Sequence, residues 1–175
     1  VFPLDFGAHE NFRIEWWYVT GWLETADQKT VGFQVTFFRP TTEYDQDNPS
    51  QFAPKRLIIG HAAISDPAVG RLLHVEKTAR EAFGLAYAKA GNTDVKLDDW
   101  YFIRDTDGNY RTAVQGNDFS MELRLEPSQP LMLQDQAGFS RKGPESEQAS
   151  YYYSEPQLKV TGKIILAGNT AAVKG

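Results

Sequence analysis

The residues whose types and spacing could support chemistry begin with a carboxylate set among aromatic side chains. Glu15 is followed directly by Trp16, Trp17 and Tyr18 in the stretch HENFRIEWWYVTGWL, residues 9–23. Burying an unpaired carboxylate among apolar groups is costly, so such a group either finds a cationic partner or has a raised pKa. The stretch therefore lies either in a packed core or along the wall of a pocket.

Two roles for Glu15 follow from this setting. In the first, Glu15 forms a structural ion pair with Arg13, Arg39 or Arg56. In the second, Glu15 handles a proton or polarises a ligand inside a pocket, which is where perturbed carboxylates often serve function. The sequence leaves both roles open.

A second group of candidates lies in the stretch GHAAISD. His61 shares an expected strand face with apolar residues such as Ile59, which is typical of a core histidine. Alternatively, His61 could donate, accept or shuttle a proton near neutral pH. Asp66 precedes Pro67, so its side chain either shapes a turn or joins the catalytic candidates.

The stretch SYYYSEP, residues 150–156, supplies a third group. On a strand, Tyr151 and Tyr153 would share one face, and Tyr152 and Ser154 the other. Tyrosine combines an apolar ring with one polar hydroxyl, which suits the orientation of a small molecule. An aromatic ladder across neighbouring strands would explain the same pattern.

Most elements that position these groups have strand character. In residues 31–39, VGFQVTFFR, Val31, Phe33, Val35 and Phe37 share one face, and this segment forms a hairpin with residues 13–23. Further strands are predicted at 56–64, 97–104, 110–115, 118–126, 150–154 and 157–166. The alanine-rich residues 78–90 could hold one short helix, although Gly84 weakens it. The tail, residues 167–175, is expected to have no structure of its own.

Composition limits the classes of function. The 175 residues suit one domain, and acidic residues exceed basic ones by 23 − 18 = 5. Because no basic cluster is visible, nucleic acid is an unlikely partner. No apolar run is long enough for a transmembrane segment. With no cysteine and three scattered histidines (His9, His61 and His74), we expect neither a metal site nor a cofactor. The stretch GFSRKG lacks the second glycine of a hydrolase nucleophile elbow.

The order and spelling of EWWY, VGFQVTFFR, HAAISD, AGFSRKG and ASYYYSEPQLKVTGKI resemble the AttH/CrtC-type lipocalin-like proteins. That family includes proteins described as predicted secreted hydrolases and the carotenoid 1,2-hydratases. The resemblance implies an all-β fold: an antiparallel lipocalin-like barrel, or a flattened, sandwich-like version of one. It also implies two consecutive barrels. We expect residues 1–175 to form the first, with a second C-terminal barrel absent from this chain, and a periplasmic or secreted location after removal of a signal peptide.

The resemblance further implies a small hydrophobic molecule as ligand, bound where the two barrels meet. Hydratase or isomerase chemistry would draw on Glu15, His61 and Asp66. A carrier without chemistry, and a purely structural half that docks the second barrel, are the alternatives. The expected ligand-binding residues are Trp16, Trp17, Tyr18, Tyr152, Tyr153 and Ser154.

Overall fold

The computed structural model describes residues 1–145 and 147–175, and these are almost entirely β-structure. One 3-10 helix of three residues, Leu4–Phe6, precedes the strands. The strands are β1 Ile14–Thr25, β2 Thr30–Pro40, β3 Leu57–Ser65, β4 Leu72–Arg80, β5 Ala86–Ala88, β6 Asp94–Leu97, β7 Trp100–Arg104, β8 Tyr110–Gln115, β9 Phe119–Pro127, β10 Met132–Leu133, β11 Phe139–Arg141, β12 Ala149–Tyr151, β13 Tyr153–Ser154, β14 Leu158–Leu166 and β15 Asn169–Lys174.

Eleven of these strands form one antiparallel sheet that curls almost into a closed barrel. Its order is β4-β3-β2-β1-β15-β14-β9-β8-β7-β6-β5. The edge strands β4 and β5 meet at a seam, where β3 and β4 pack against β5 and β6. Within residues 1–145 and 147–175, β4 has backbone pairing only with β3, so side chains close this seam. The predicted antiparallel barrel is confirmed.

The alternation of apolar and polar residues places the core inside the barrel. Val31, Phe33, Val35 and Phe37 of β2 are all buried, as their shared face predicted. In β1, Trp17, Val19 and Leu23 join the core, whereas Trp16 and Tyr18 lie on the outer face. The register pairs Glu15 with Arg39 across β1 and β2. Because side chains alternate along a strand, both of these charged residues also point inward.

Close packing across the seam depends on Gly60 of β3. A methyl group there would come within 2.9 Å of the ring of Trp100 and 3.0 Å of Leu97. Real side-chain atoms almost never approach so closely, so glycine at this position lets the fully buried Trp100 ring pack against β3. Trp100 Nε1 donates to the backbone oxygen of Gln115 at 3.0 Å, which satisfies its one polar atom.

Two sequence predictions are wrong. Residues 78–90 hold the end of β4, a turn and β5 rather than a helix. Backbone pairing in the sheet outweighs the helix preference of alanine. It includes Ile59↔Thr78 between β3 and β4 and Ala88↔Val95 between β5 and β6. The tail is also structured: Asn169–Lys174 form β15, which lies between β14 and β1 and joins the two parts of the sheet.

Over the described part of the chain, no helix reaches the length and apolar character that a membrane-spanning helix requires.

Candidate functional site

Glu15 lies at one end of the barrel, which we call the floor, in a network of ion pairs. Its Oε2 accepts from Arg39 Nη1 at 3.1 Å. Its Oε1 accepts from the backbone N–H of His9 at 2.8 Å and lies 2.9 Å from His9 Nδ1. Glu15 and Arg39 are both more than nine-tenths buried. Of the two roles weighed for Glu15, these contacts favour the structural one, with Arg39 as the partner.

The guanidinium of Arg39 serves a second carboxylate. Arg39 Nε donates to Glu81 Oε2 at 2.9 Å, and the backbone N–H of Ala88 approaches Glu81 Oε1 at 3.4 Å. Buried charges are tolerated when each has a partner, because the attraction then offsets much of the lost hydration. This network ties β1 and β2 to the residues that follow β4 and to β5.

The N-terminal segment covers the same end of the barrel. The backbone oxygen of Phe6 accepts from Trp17 Nε1 at 3.1 Å and from Thr93 Oγ1 at 2.9 Å. The N–H of Ala8 donates to the oxygen of Lys89 at 2.8 Å. Together with the contacts of His9, these bonds hold residues 4–9 across the floor as a plug.

His61 lies on the outside of the barrel, so the prediction that it is a core histidine is wrong. β3 buries Ile58, Gly60, Ala62 and Ile64, and the alternation therefore turns His61 outward. Its side chain is 42% exposed and lies 4.0 Å from Glu76. Phe38 makes an edge contact with the imidazole at 5.4 Å between ring centroids. Because Glu15 points inward, the sheet separates the two groups.

The opposite end of the barrel, which we call the mouth, contains an open cavity of about 830 Å³. Four hairpin turns surround it, at residues 25–30, 65–72, 115–119 and 166–169. Its floor-side wall is apolar and includes Val31, Leu73, Phe119 and Ile164. From Glu15 to Thr25 the chain rises roughly 30 Å, at about 3.3 Å per residue, so the mouth lies far from Glu15.

Asp66 is the one candidate residue on the wall of this cavity. Its Oδ2 accepts from Lys29 Nζ at 2.6 Å, and its Oδ1 accepts from the backbone N–H of Ala68 at 2.9 Å. The hydrogen bond from Lys29, opposed by burial, holds the pKa of Asp66 below its ordinary 3.8. Asp66 is therefore ionised at neutral pH, and it fixes the β3–β4 turn to the β1–β2 turn.

The aromatic candidates divide between the two faces of β1. On the outer face, the hydroxyl groups of Tyr18 and Tyr152 are hydrogen-bonded, and the ring of Trp16 lies 6.3 Å from that of Tyr152. The bond to Tyr152, helped by burial, raises the pKa of Tyr18 to about 12. Lys142 Nζ lies 5.4 Å above the Tyr152 ring. Trp16, Tyr18 and Tyr152 thus form one outer aromatic cluster.

The other three candidates lie elsewhere. Trp17 is buried in the core under the plug. The ring of Tyr153 packs edge-on against Phe2 and Phe6, and burial raises the pKa of its hydroxyl. Ser154 Oγ accepts from Gln134 Nε2 at 2.9 Å. None of these three side chains lines the cavity at the mouth. Their expected role in ligand binding stays a prediction.

The sequence did not predict the cavity at the mouth, because turns between the strands form much of its wall. Lys29, Arg71 and Asp118 line the cavity but lie between strands, where hydrophobic periodicity carries no information. The turn spellings TADQKT and SDPAVG marked where the chain reverses, yet they do not tell which turns share one end of a barrel. Outside Ser146, no group of three or more acidic, histidine or cysteine side chains converges as a metal site would require.

Comparison with known proteins identifies the family. The model of the AttH-like family matches residues 1–175. The chain is also 61% identical to a protein from Nitrosomonas europaea whose crystal structure, at 2.00 Å resolution, is described as that of an AttH, and the two superpose with a TM-score of 0.90. The match covers 100% of this chain and 52% of the other, so this chain spans about half the length of that relative. No curated protein matches the chain. With the family model matched from end to end and this barrel shared with the Nitrosomonas protein, the chain belongs to the AttH-like family.

Proposed function

We propose that this barrel binds a small hydrophobic molecule in the cavity at its mouth. The observation that carries the proposal is the cavity itself: its volume of about 830 Å³ lies within the range of roughly 300–1,000 Å³ typical of small-molecule sites. Among the inward-facing side chains, Leu23, Val35, Met121 and Leu125 are almost fully buried. We therefore place the ligand at the mouth, where the cavity lies.

The lining of the cavity supports an apolar ligand with few polar contacts. Val31, Leu73, Phe119 and Ile164 provide the apolar wall, and Val69 adds a partly exposed side chain at the rim. Four of the five charged side chains that line the cavity form ion pairs, Lys29 with Asp66 and Arg71 with Asp118. The fifth, Asp27, accepts a hydrogen bond from Thr25 Oγ1. Because each of these groups already has a partner, the ligand need not supply a counter-ion.

A neutral fluorescent probe tests the proposal. N-phenyl-1-naphthylamine gains fluorescence when it enters an apolar site, and we expect saturable binding to the wild-type chain. Val69→Glu places a charge at the rim and should weaken binding by about tenfold, since about 1.4 kcal/mol of lost affinity corresponds to that factor. Val69 is 44% exposed, so the substitution should leave the fold intact.

Leu85→Glu is the matched control. Leu85 is an apolar turn residue that is 62% exposed and does not line the cavity. We expect the Leu85→Glu variant to bind the probe as the wild type does. Equal probe affinity in the wild type and both variants would show that the probe binds elsewhere, and would refute a ligand site at the mouth.

We propose as a second candidate that the outer face of β1 docks a second barrel, with lyase-type chemistry between the two. Two observations favour it: Trp22 is 71% exposed on the same face of β1 as Trp16 and Tyr18, and the Nitrosomonas relative is about twice as long. Large exposed indoles often mark contact surfaces. Trp22→Lys should abolish association with the part of the relative that this chain does not match, as measured by sedimentation velocity, whereas Phe83→Lys should not.

A further inference from the structure

The wall of the cavity at the mouth changes from apolar to polar towards solvent. Its inner part is formed by Val31, Leu73, Phe119 and Ile164, which are all buried. The turns around the mouth add charged and amide side chains at the rim. A few well-placed polar groups in an apolar pocket fix the orientation of a ligand. A ligand in this cavity would therefore place its apolar part inward and its polar part at the rim.

The charged side chains of the rim do not favour an anionic ligand. Three carboxylates line the cavity, those of Asp27, Asp66 and Asp118, against two cations, Lys29 and Arg71, so the formal charge of the lining is 2 − 3 = −1. Each cation already lies against a carboxylate, Lys29 at 2.6 Å and Arg71 at 3.6 Å. A side-chain hydroxyl donates to Asp27 and holds its pKa below the ordinary 3.8, so this third carboxylate is ionised at neutral pH. An anionic head group would meet a rim with one negative charge in excess.

Two amide side chains line another part of the rim. Asn117 belongs to the β8–β9 turn, and Asn169 is the first residue of β15. The two turns are neighbours, since the backbone N–H of Ala167 donates to the oxygen of Asp118 at 3.4 Å. Val173 of β15 is buried, and alternation along the strand therefore places Asn169 on the inner face as well. One side of the rim thus carries two uncharged hydrogen-bonding groups.

These amides differ from the charged groups in having no partner within the protein. Among the residues that the structure describes, side-chain hydrogen bonds at the mouth join groups such as Lys29 and Asp66, and none reaches the amide of Asn117 or of Asn169. An amide can both donate and accept, so it suits a hydroxyl, a carbonyl or another amide. None of these partners needs a charge. The free hydrogen-bonding capacity at the rim therefore matches an uncharged polar group.

We propose that the ligand of this cavity is an uncharged amphiphile, with an apolar body and one hydrogen-bonding head such as a hydroxyl or carbonyl group. The inference rests on the proposed ligand site at the mouth and adds the chemical class of the ligand. The apolar body packs against Leu73, Phe119 and Ile164, and the head forms hydrogen bonds with Asn117 and Asn169. A fatty acid is disfavoured, because its carboxylate would lie at a rim that already has a negative charge in excess.

Displacement of N-phenyl-1-naphthylamine by ligands with different heads tests the inference. The ligands are n-decanol, decanoate and naphthalene, which has no polar group. Each affinity is compared between variant and wild type, so the tendency of a ligand to leave water cancels. The double variant Asn117→Ala with Asn169→Ala should bind n-decanol about three- to tenfold more weakly, as the loss of hydrogen bonds to an uncharged group predicts. Its affinity for naphthalene should change by less than about twofold, which is within the error of such a comparison.

The charge of the rim is tested with Asp27→Asn. This change removes the carboxylate that has no cationic partner, so the affinity for decanoate should rise by about two- to threefold, since an exposed charge in salt solution acts weakly. The affinity for n-decanol should stay the same. In the wild type, n-decanol should bind more tightly than decanoate.

An exposed amide away from the mouth provides the control. Gln51 lies in the loop between β2 and β3 and does not line the cavity, so Gln51→Ala should bind all three ligands as the wild type does. Asn117 and Asn169 are also exposed, and urea denaturation should show that the double variant is folded.

The outcomes separate this inference from the ligand site itself. If the double variant binds n-decanol as the wild type does, or if decanoate binds the wild type more tightly than n-decanol, the uncharged amphiphile is refuted. The ligand site still stands in either case, provided that Val69→Glu weakens binding of the probe. If Val69→Glu leaves probe binding unchanged, the ligand site and the class of ligand are both refuted.

Discussion

At the floor of the barrel, one buried guanidinium serves two carboxylates, and backbone groups fill the remaining positions around them. At the mouth, two ion pairs lie along an open cavity, and three of their four side chains are at least 41% exposed. The same residue types therefore have different roles at the floor and at the mouth. The buried, mutually dependent charges hold the plug and the strands together. The more exposed ion pairs constrain the turns at the mouth less.

The two ends of the barrel also differ in whether they can bind a ligand. At the floor, Glu15 and Glu81 are already paired with Arg39 and the plug lies across this end of the barrel, so a ligand there would have to displace the plug. The mouth has space but few fixed polar groups. This difference directs the search for a ligand to the mouth, although Glu15 is the more unusual residue in the sequence.

The largest effect should come from breaking the floor network at its centre. Arg39→Ala leaves Glu15 and Glu81 facing each other without a cation, and removing one member of a buried ion pair costs about 3–5 kcal/mol. Urea denaturation should show this loss in the free energy of unfolding. A loss below about 1 kcal/mol would mean that the floor is as tolerant as a surface pair, and the contrast between the two ends would fail.

A milder change at the same place is Glu15→Gln. The amide keeps the shape of the side chain but removes its charge, so the bonds from Arg39 and His9 weaken. We expect a loss of about 1–3 kcal/mol in the free energy of unfolding. Affinity for N-phenyl-1-naphthylamine should be unchanged, because Glu15 does not line the mouth. Loss of probe binding in a folded Glu15→Gln variant would return the ligand site to the floor.

At the mouth, Lys29→Ala should cost about 1 kcal/mol, less than at the floor because Lys29 is 41% exposed and water can partly replace it. The loss should depend on pH. The pKa of Asp66 is lowered in the folded state, so the pair stabilises the fold above the unfolded value of 3.8 and ceases to do so as pH falls through the lower folded value. Wild type and Lys29→Ala should therefore converge in stability as the pH falls below 3.8 and through the lower folded pKa of Asp66, measured by urea denaturation across pH.

The smallest effect on stability belongs to Arg71→Ala. Both partners of this pair are mostly exposed, and the expected loss is below about 0.5 kcal/mol. Thermal unfolding should give nearly the same midpoint as the wild type. A loss as large as that of Lys29→Ala would show that the seam is held firmly at the mouth.

Much of the fold was predictable because it follows from alternation. The shared face of Val31 and Val35 identified the buried side of β2, and this prediction is confirmed. Alternation alone does not distinguish the two faces of β1, since both are largely apolar. It did not tell which face is inside, and the histidine of β3 was assigned to the wrong side for this reason.

The candidate site was less predictable, for a physical reason. A cavity at a barrel mouth is formed by turns that lie far apart in the sequence, such as those holding Lys29 and Asp118. Local patterns record the neighbours of a residue along one strand, not the end of the barrel at which its turn lies. Arg39 was among the expected partners of Glu15, but the second carboxylate bound by Arg39, that of Glu81, was not expected, since Glu81 follows a strand that the sequence did not reveal.

The position of β15 has a consequence for the order in which the protein acquires its structure. Strands β1 to β4 can pair with one another as soon as they leave the ribosome, because each pairs with its neighbour in the chain. Among the described residues, backbone pairing joins the rest of the sheet to this first group only at Glu24↔Lys174 and Thr25↔Val173, contacts that span about 150 residues. Contacts of such long range slow folding. During synthesis the first half of the barrel therefore exists with an open flank until residue 174 has emerged.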